Sequence, residues 1–288
     1  MIMINAEIIH YVINSYCTVS GPTGIGFACI RALCKKLKDD NAVYLTARNP
    51  ELGKKAVADL EKEGLKPRFH QLDITDQRSV EALRDHVKKE HGGLDIVINN
   101  AGFAFRLDDK ASAAEQAAVS CQVNYFGTAR VFDVLSPILR PHSRVVNVSS
   151  MTAKGVLKRL DPELKKEFQN TSTRNEVDML VKRYIELMAS GEAEKYGFTT
   201  VSNYGFSKLG LCALTRVQNS DIQKDLNRPG INVYSVCPGY VATDMTSYKG
   251  PKTPDEGADT LIWLALQPQG TIMGSGEFFA DRKVISLL

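Results

Sequence analysis

The sequence predicts an α/β fold, a doubly wound parallel sheet with helices on both faces, and two observations carry that prediction. Short runs of β-branched and apolar residues alternate along the chain with segments of helical periodicity. Such alternation forms a parallel sheet, because each helix returns the chain to the same end of the sheet. The 288 residues, 43% of them hydrophobic, also show no linker-like composition shift, so we expect residues 1–288 to form one domain.

The order of the elements follows from the positions of these two kinds of segment. The predicted strands cover residues 16–20, 42–47, 68–73, 95–99, 144–148 and 231–237. The predicted helices cover residues 26–37, 51–63, 79–90, 113–135 and 207–225. In such sheets ligands bind beyond the carboxyl ends of the strands, where the strand order reverses. The residues that follow each strand are therefore the candidates for a functional site.

Charge and cysteine content exclude several classes of protein. The net charge of +3 is too small for the basic surface of a nucleic-acid-binding protein. The six cysteines are scattered, without the spacing of a metal site. The first residues lack the basic start of a signal peptide, and no segment reaches the roughly 20 apolar residues of a membrane span. We expect a cytoplasmic protein with reduced thiols that binds no metal, nucleic acid or membrane.

The turn SGPTGIG at residues 20–26 joins the first predicted strand to the first helix. Its residues Gly21, Gly24, Ile25 and Gly26 let the backbone approach a pyrophosphate group at the helix N-terminus, where free N–H groups attract anions. An ordinary strand-to-helix turn can have the same composition. The position of this turn in the first strand-helix unit favours dinucleotide binding.

Arg48 follows the second strand, at the place where a site for NAD usually carries an acidic residue that binds the ribose hydroxyls. An arginine there accommodates the additional phosphate of NADP. The sequence therefore favours NADP(H) as the cofactor, against the alternative of an ordinary surface arginine.

Small polar residues end the next three strands, among them Asp73, Asn100 and Ser150. Each of them alone could be a helix cap or part of a turn. Polar residues at three successive carboxyl ends predict a lined cleft.

Tyr204 and Lys208 are four residues apart and share one face of a predicted helix. A phenol titrates near pH 10, so a tyrosine that acts as a general acid or base needs a nearby cation that lowers its pKa, and Lys208 could supply it. The same spacing recurs at Tyr248 and Lys252, but Pro251 prevents a helix there. Only the first pair has the helical geometry that such a catalytic pair needs, and an ordinary amphipathic surface pair can have the same spacing.

Taken together, these motifs resemble those of the short-chain dehydrogenase/reductase family, and more closely its monomeric NADPH-dependent carbonyl reductases. The resemblance runs from about residue 19 to residue 283 and implies a Rossmann-type fold. The motifs that carry it are LTAR at 45–48, RFHQLDI at 68–74, GLDIVINNAG at 93–102, NYFGT at 124–128, RVVNVSS at 144–150, the Tyr204 and Lys208 pair, and CPG at 237–239.

The resemblance implies a catalytic role for four residues. Tyr204 would donate a proton to the carbonyl oxygen of the substrate, and Ser150 would hydrogen-bond the same oxygen. Lys208 would lower the pKa of Tyr204 and hold the nicotinamide ribose, and Asn124 would anchor a water that relays protons to Lys208. The implied activity is NADPH-dependent reduction of aldehydes, ketones or quinones.

The resemblance also implies cofactor and substrate contacts. Asn100 would lie beside the cofactor, Asp73 and Ile74 near the adenine, and Val241 and Thr243 near the carboxamide. A loop after the fourth strand would contribute glutathione-type contacts to the substrate rim. The residues that match that loop are Phe105, Arg106, Leu107 and Gln116.

An insertion separates Ser150 from Tyr204. Residues 151–203 look like two extra helices, the second of which begins at a capping box formed by Thr173 and Glu176. A second capping box at Thr253 predicts a late helix. In the monomeric carbonyl reductases such an insertion covers the face that other members use to oligomerise. We therefore expect a monomer.

The start of the chain departs from the family pattern. Only two residues separate Gly21 from Gly24, where the family has three, and Pro22 removes a backbone N–H from the turn. Residues 1–16 do not resemble the usual start either. Two alternatives to the carbonyl reductase therefore stay open: an NAD(P)-dependent alcohol dehydrogenase acting oxidatively, and a catalytically silent family member that binds its cofactor weakly.

Overall fold

The structure is a computed structural model that describes residues 10–14, 24–37, 41–106, 108–199, 201–268, 271 and 274–287, with side chains from residue 24 onward. Within these ranges the strands form one mixed sheet. They are β1 (His10–Asn14), β2 (Ala42–Ala47), β3 (Arg68–Gln71), β4 (Leu94–Asn99), β5 (Leu139–Val148), β6 (Asn232–Cys237), β7 (Phe278–Ala280) and β8 (Lys283–Val284).

The strand order in the sheet is β3-β2-β1-β4-β5-β6-β7-β8. All neighbours are parallel except β7 and β8, which are antiparallel. The chain runs outward from β1 to β3 in one direction and from β4 onward in the other. The strand order therefore reverses between β1 and β4, and the carboxyl ends of these strands border the crevice where such folds bind ligands.

The first strand lies earlier than the sequence analysis placed it. The strand that pairs with both β2 and β4 is His10–Asn14. The predicted segment, residues 16–20, lies outside the described residues. The prediction assumed that the strand runs directly into the glycine-rich turn, whereas β1 ends at Asn14 and helix α1 begins at Ile25.

The helices cover both faces of the sheet. Ile96 and Ile98 of β4 pack with the first and last helices, whereas Val97 between them packs on the opposite face. No helix within the described ranges is both long and apolar enough to cross a membrane. The helices are α1 (Ile25–Lys36), α2 (Pro50–Lys62), α3 (Gln77–His91), α4 (Ala113–Cys121), α5 (Thr128–Leu135), α6 (Thr152–Arg159), α7 (Pro162–Asn170), α8 (Arg174–Ser190), α9 (Asn203–Ile222) and α10 (Pro254–Ala265).

Both predicted capping boxes are present. The Thr173 hydroxyl accepts a hydrogen bond from the Glu176 backbone N–H, and the Glu176 carboxylate accepts one from the Thr173 N–H. Thr253 and Glu256 form the same pair at the start of α10, with Pro254 in its first turn. These reciprocal bonds satisfy N–H groups that a helix start leaves free, and so they fix where α8 and α10 begin.

The helix predicted over residues 113–135 is interrupted. A π-helix, Gln122–Gly127, separates α4 from α5. The insertion also contains three helices, α6 to α8, instead of the two that we expected. Within it, α8 packs against both α4 and α9. The insertion is therefore in contact with α9, which carries Tyr204, and with α4, which leads into the π-helix that carries Asn124.

Candidate active site

Tyr204 and Lys208 lie in the first turns of α9, beside the carboxyl end of β5. The Lys208 Nζ is 5.6 Å from the centroid of the Tyr204 ring. The hydroxyl of Ser150, which follows β5, is hydrogen-bonded to the Tyr204 phenol. The structure thus brings together three of the four residues predicted to be catalytic.

Asn124 is the fourth predicted catalytic residue, and the surroundings of Gly102 show that it lies near Lys208. A Cβ atom on Gly102 would lie 3.3 Å from the Lys208 Nζ and 3.4 Å from the Asn124 Oδ1. Both polar atoms therefore flank the same point of the turn that follows β4. The absence of a side chain at Gly102 lets this turn pass between them.

The Asn124 side chain is fully buried and uses its hydrogen-bonding capacity on the protein. Its Oδ1 accepts from the Phe103 N–H at 2.7 Å, and its Nδ2 donates to the Phe103 carbonyl at 2.9 Å and the Ser207 hydroxyl at 2.9 Å. Asn124 lies in the π-helix, a geometry that often marks functional sites. Its side chain ties the turn after β4 to α9, and its predicted role in anchoring a water stays a prediction.

Burial dominates the ionisation of the tyrosine and lysine. Burial raises the pKa of Tyr204, as does the nearby Cys237 thiol, and the Ser150 hydroxyl opposes them. Burial lowers the pKa of Lys208 to about 8, against the opposing effect of two thiols. That Lys208 lowers the pKa of Tyr204 stays a prediction, because burial is the largest influence on this phenol in the structure. At neutral pH the phenol is therefore protonated and the ammonium is charged.

Lys208 is held in place by the sheet itself. Its side chain is 2% exposed, and its Nζ donates a hydrogen bond of 2.7 Å to the carbonyl oxygen of Val148, the last residue of β5. The Ser149 hydroxyl in turn donates to the Lys208 carbonyl at 2.9 Å. These two bonds fix the first turns of α9 to the end of β5.

The predicted phosphate contacts lie at the start of α1. Gly24 is the N-cap and offers no side-chain cap, and the first turn contains no acidic residue. The backbone N–H groups there are oriented to receive an anion. Ile25 and Val241 both approach Gly257 of α10, where a Cβ would lie 3.3 Å and 2.7 Å from their side chains. Gly21 lies outside the described residues.

Three other predicted cofactor residues follow β2 and β3. Arg48 is exposed, and its carbonyl accepts a hydrogen bond from a side chain of β3. The Asp73 carboxylate binds the N–H and the hydroxyl of Thr75 at 2.8 and 2.7 Å, so one of its oxygens already stabilises a local turn. Ile74 is buried, and its side chain packs against Gly127 of the π-helix.

Asn100 and Thr243 occupy the turns after β4 and β6. Asn100 is partly buried, and its N–H donates to the Ile98 carbonyl at 3.0 Å. Thr243 is the N-cap of a short 3₁₀-helix, Asp244–Thr246. Both residues border the carboxyl edge of the sheet, as predicted, but neither is in described contact with the catalytic group.

The predicted substrate rim is only partly assembled. Gln116 approaches the site, because its Oε1 is 3.5 Å from the Nδ2 of Asn203, the residue before Tyr204. The Phe105 ring packs edge-on against Phe103 with centroids 4.7 Å apart, as an ordinary aromatic pair would. Arg106 is exposed and forms a 3.4 Å ion pair with a nearby aspartate. Leu107 lies outside the described residues.

Cys237 is a member of the site that the sequence analysis did not single out. Its Sγ accepts hydrogen bonds from the N–H groups of Met151 and Gly239 at 3.3 and 3.4 Å, and its thiol lies close enough to affect both Tyr204 and Lys208. The available signal was its position at the carboxyl end of β6, beside β5.

Two features elsewhere resemble a site but are not part of this one. The pair Tyr248 and Lys252 has no helical geometry: Tyr248 has a φ of 58°, and Lys252 binds Asp281 at 2.5 Å. A groove of about 780 Å³ opens between α7 and α8, and charged residues and Met179 line it. It includes none of the predicted site residues, so we locate the site from the convergence of side chains at the sheet edge.

Comparison with known proteins agrees with this geometry. A sequence model of the family described as short chain dehydrogenase matches residues 16–159 and 187–254, and the unmatched stretch falls within the inserted helices. Carbonyl reductase 1 of Rattus norvegicus, named for its use of NADPH, is 43% identical over 262 residues, which cover 91% of this chain and 94% of the relative. Carbonyl reductase 3 of Mus musculus, likewise named for NADPH, is 42% identical over 263 residues, with coverage of 91% and 94%.

Solved structures give the same result. Salutaridine reductase from Papaver somniferum superimposes with a TM-score of 0.80 at 29% identity, over 96% of this chain and 100% of that one. Menthone neomenthol reductase from Mentha piperita gives a TM-score of 0.76 at 26% identity, over 96% and 99%.

Proposed function

This chain belongs to the short-chain dehydrogenase/reductase family, and from that membership we propose that the group around Tyr204 reduces carbonyl compounds with NADPH. The observation that carries the assignment is the convergence of the Ser150 hydroxyl and the Lys208 ammonium on one partly buried phenol. NADPH-dependent carbonyl reduction is the activity named for relatives that are 40–43% identical over most of the chain.

The residues present fit NADP(H). The uncapped start of α1 at Gly24 offers backbone N–H groups to a pyrophosphate, and the exposed Arg48 can bind the ribose phosphate that distinguishes NADP from NAD. When bound, NADPH supplies the hydride for the reduction.

Tyr204 supplies the proton in the proposed reaction. As the carbonyl carbon gains a hydride, negative charge develops on the oxygen, and the Tyr204 hydroxyl donates its proton there. The Ser150 hydroxyl donates a hydrogen bond to the same oxygen. The Lys208 ammonium stabilises the phenolate that Tyr204 becomes, and a proton from solvent then restores the phenol.

The direction of the pKa shift of Tyr204 is consistent with the reductive role. Burial raises this pKa, so at neutral pH the phenol holds the proton that reduction consumes. The convergence of Ser150, Tyr204 and Lys208 likewise argues against a silent family member.

We also propose a substrate rim, a monomeric state and a cellular location. Gln116 supports a substrate rim that receives glutathione conjugates, because it contacts the residue before Tyr204. The packing of α8 on α4 and α9 supports a monomer that forms one domain over residues 1–288, with residues 151–203 as an insertion. The cysteines in the described residues are free thiols, which supports a cytoplasmic location.

The test combines cofactor binding with one matched pair of substitutions. Purified protein is titrated with NADPH and NADH by fluorescence, and oxidation of NADPH is then followed with menadione. Tyr204→Phe should lower kcat by about 10²-fold or more, because general acid catalysis contributes that much. Tyr248→Phe removes an exposed hydroxyl in the second copy of the spacing and should leave kcat within about twofold. Equal turnover by the two variants would refute Tyr204 as the donor.

A further inference from the structure

Helix α8 of the insertion contacts the polypeptide beside Asn124. The hydroxyl of Tyr125, which is fully buried, donates a hydrogen bond of 2.6 Å to the Asp178 carboxylate on α8. Burial and the adjacent carboxylate raise the pKa of Tyr125, so this hydroxyl stays a donor. Arg174, one turn earlier on α8, binds the same carboxylate at 2.7 Å and binds Asp133 at 3.0 Å. The π-helix is thus attached to the insertion at the residue next to Asn124.

The same helix contacts the polypeptide beside Tyr204. The Tyr184 hydroxyl on α8 donates a hydrogen bond of 2.7 Å to the Oδ1 of Asn203, and both residues are buried. The Tyr184 ring stacks on Phe206 with centroids 3.7 Å apart and packs edge-on against Phe198. These contacts hold the residues on both sides of Tyr204.

A third contact lies between these two. A Cβ on Gly210 of α9 would be 3.0 Å from the Val181 side chain of α8 and 3.2 Å from the Tyr125 ring. Gly210 is two positions beyond Lys208. The missing side chain therefore lets α8, the π-helix and α9 meet at one place.

The three α8 residues in these contacts, Asp178, Val181 and Tyr184, are spaced by three and share one face of the helix. We propose that this face positions the catalytic group, with Asp178 acting through Tyr125 on the π-helix and Tyr184 acting through Asn203 on the start of α9. The inference rests on the proposed function, and it makes Asp178 and Tyr184 positioning residues that touch neither substrate nor cofactor.

The physical reason is that proton transfer is sensitive to sub-ångström placement. One direct link between the two segments is the 2.9 Å bond from Asn124 to Ser207. The α8 face adds two further hydrogen bonds, one to each segment. A misplacement of about 1 Å can lower a rate by 10²-fold, so these distant hydroxyl and carboxylate groups should affect kcat more than KM.

The experiment compares two tyrosine variants that each lose one hydroxyl from the insertion. Tyr184→Phe keeps the ring stack but removes the donor to Asn203. Tyr196→Phe is the control, because its hydroxyl contacts Arg183 on the insertion and not the catalytic helices. We expect Tyr184→Phe to lower kcat by about fivefold or more with KM for NADPH within twofold, whereas Tyr196→Phe should leave both within twofold.

A second set of variants separates the contact of Asp178 with Tyr125 from its ion pair with Arg174. Asp178→Ala removes the acceptor of the Tyr125 hydroxyl and should lower kcat by a similar factor. Asp178→Asn keeps an oxygen acceptor and should restore most of the activity. Asp133→Ala removes the other ion-pair partner of Arg174 and should leave kcat within twofold. The alkaline limb of the kcat profile, near pH 8 in the wild type, should shift in Tyr184→Phe and Asp178→Ala only.

The outcomes distinguish failure of the positioning role from failure of the proposed function. An active wild type, an inactive Tyr204→Phe and a Tyr184→Phe equal to Tyr196→Phe in kcat and pH profile would overturn the positioning role alone. Wild-type turnover that does not depend on Tyr204 would overturn the proposed function and this inference with it. A drop in kcat confined to Tyr184→Phe and Asp178→Ala supports the inference.

Discussion

The carboxyl edge of the sheet has a catalytic end, which contains Lys208 and Asn124, and a cofactor end, which contains Asn49 and Asp73. Different kinds of contact hold the two ends. At the catalytic end, Lys208 binds a carbonyl 60 residues away in sequence, and Asn124 binds a hydroxyl 83 residues away. At the cofactor end, Asp73 binds a residue two positions along, and Asn49 caps the helix that it precedes. Long-range bonds fix the reacting groups, whereas local turns and backbone N–H groups prepare the phosphate site. We therefore expect substitutions at the first end to change rate and those at the second to change affinity.

The largest expected effect is at Lys208. Lys208→Met keeps the length of the buried side chain but removes the charge that stabilises the Tyr204 phenolate, so kcat should fall by about 10²-fold or more. The Kd for NADPH should change much less. Steady-state kinetics with menadione and fluorescence titration measure the two quantities.

The pH profile of the wild type provides the control for that substitution. Because the pKa of Lys208 is about 8, the ammonium is present below that pH and is lost above it. The rate of reduction should therefore decline as the pH rises through about 8, and the residual activity of Lys208→Met should lack this limb. A wild-type rate that stays flat to pH 10 would contradict the assigned role.

An intermediate effect is expected at Arg48. Arg48→Ala removes a charged donor for the ribose phosphate, and hydrogen bonds to charged groups contribute about 1.5–3 kcal/mol. The Kd for NADPH should rise about 10- to 100-fold while that for NADH stays within twofold. Arg84→Ala, which removes an arginine paired with Asp85 in the middle of α3, should change neither. An equal loss of affinity for both cofactors would mean that Arg48 does not bind the ribose phosphate of NADPH.

The smallest expected effect is a change in the stability of the fold with pH, and it arises from histidines at the β2 and β3 side of the sheet. The Tyr44 hydroxyl lies 3.1 Å from the Nε2 of His86 and 2.8 Å from that of His91, and the His70 ring packs on His86. Burial lowers the pKa of both His70 and His91, and the positive charge of Arg68 adds to the effect on His91.

The sign of the pH effect follows from those two shifts. A free histidine has a pKa of about 6.5, so below that pH the unfolded chain binds more protons than the folded one. The urea midpoint should therefore fall as the pH is lowered from 7.5 to 5.5. His91→Gln should reduce this pH dependence, because it removes one of the two histidines whose pKa is lowered. An unchanged pH dependence in His91→Gln would remove His91 as a cause.

Local sequence signals were sufficient for most of the fold. The strand predicted at residues 42–47 is β2, because a continuous buried apolar run has few other interpretations. The capping boxes at Thr173 and Thr253 located the starts of α8 and α10, since the bonds involved join residues three apart. The helical spacing of Tyr204 and Lys208 gave the centre of the site for the same reason.

Features that depend on distant residues were not predictable from local patterns. The π-helix at Gln122–Gly127 leaves the apolar periodicity almost unchanged, so it was read as part of one helix. The raised pKa of Tyr204 depends on burial by the whole fold, which the spacing to Lys208 does not contain. The bond from Tyr125 to Asp178 joins residues 53 positions apart, and no pattern near either residue indicates it.

The three-way contact at Gly210 has a consequence for protein engineering. Replacing a glycine inside a helix by alanine is a standard route to thermostability, since glycine costs about 1 kcal/mol relative to alanine there. At Gly210 the added methyl group would press on Val181 and the Tyr125 ring. A stabilisation programme that ranks positions by helix propensity would select Gly210 early, although crowding against these two buried side chains opposes the gain in helix propensity.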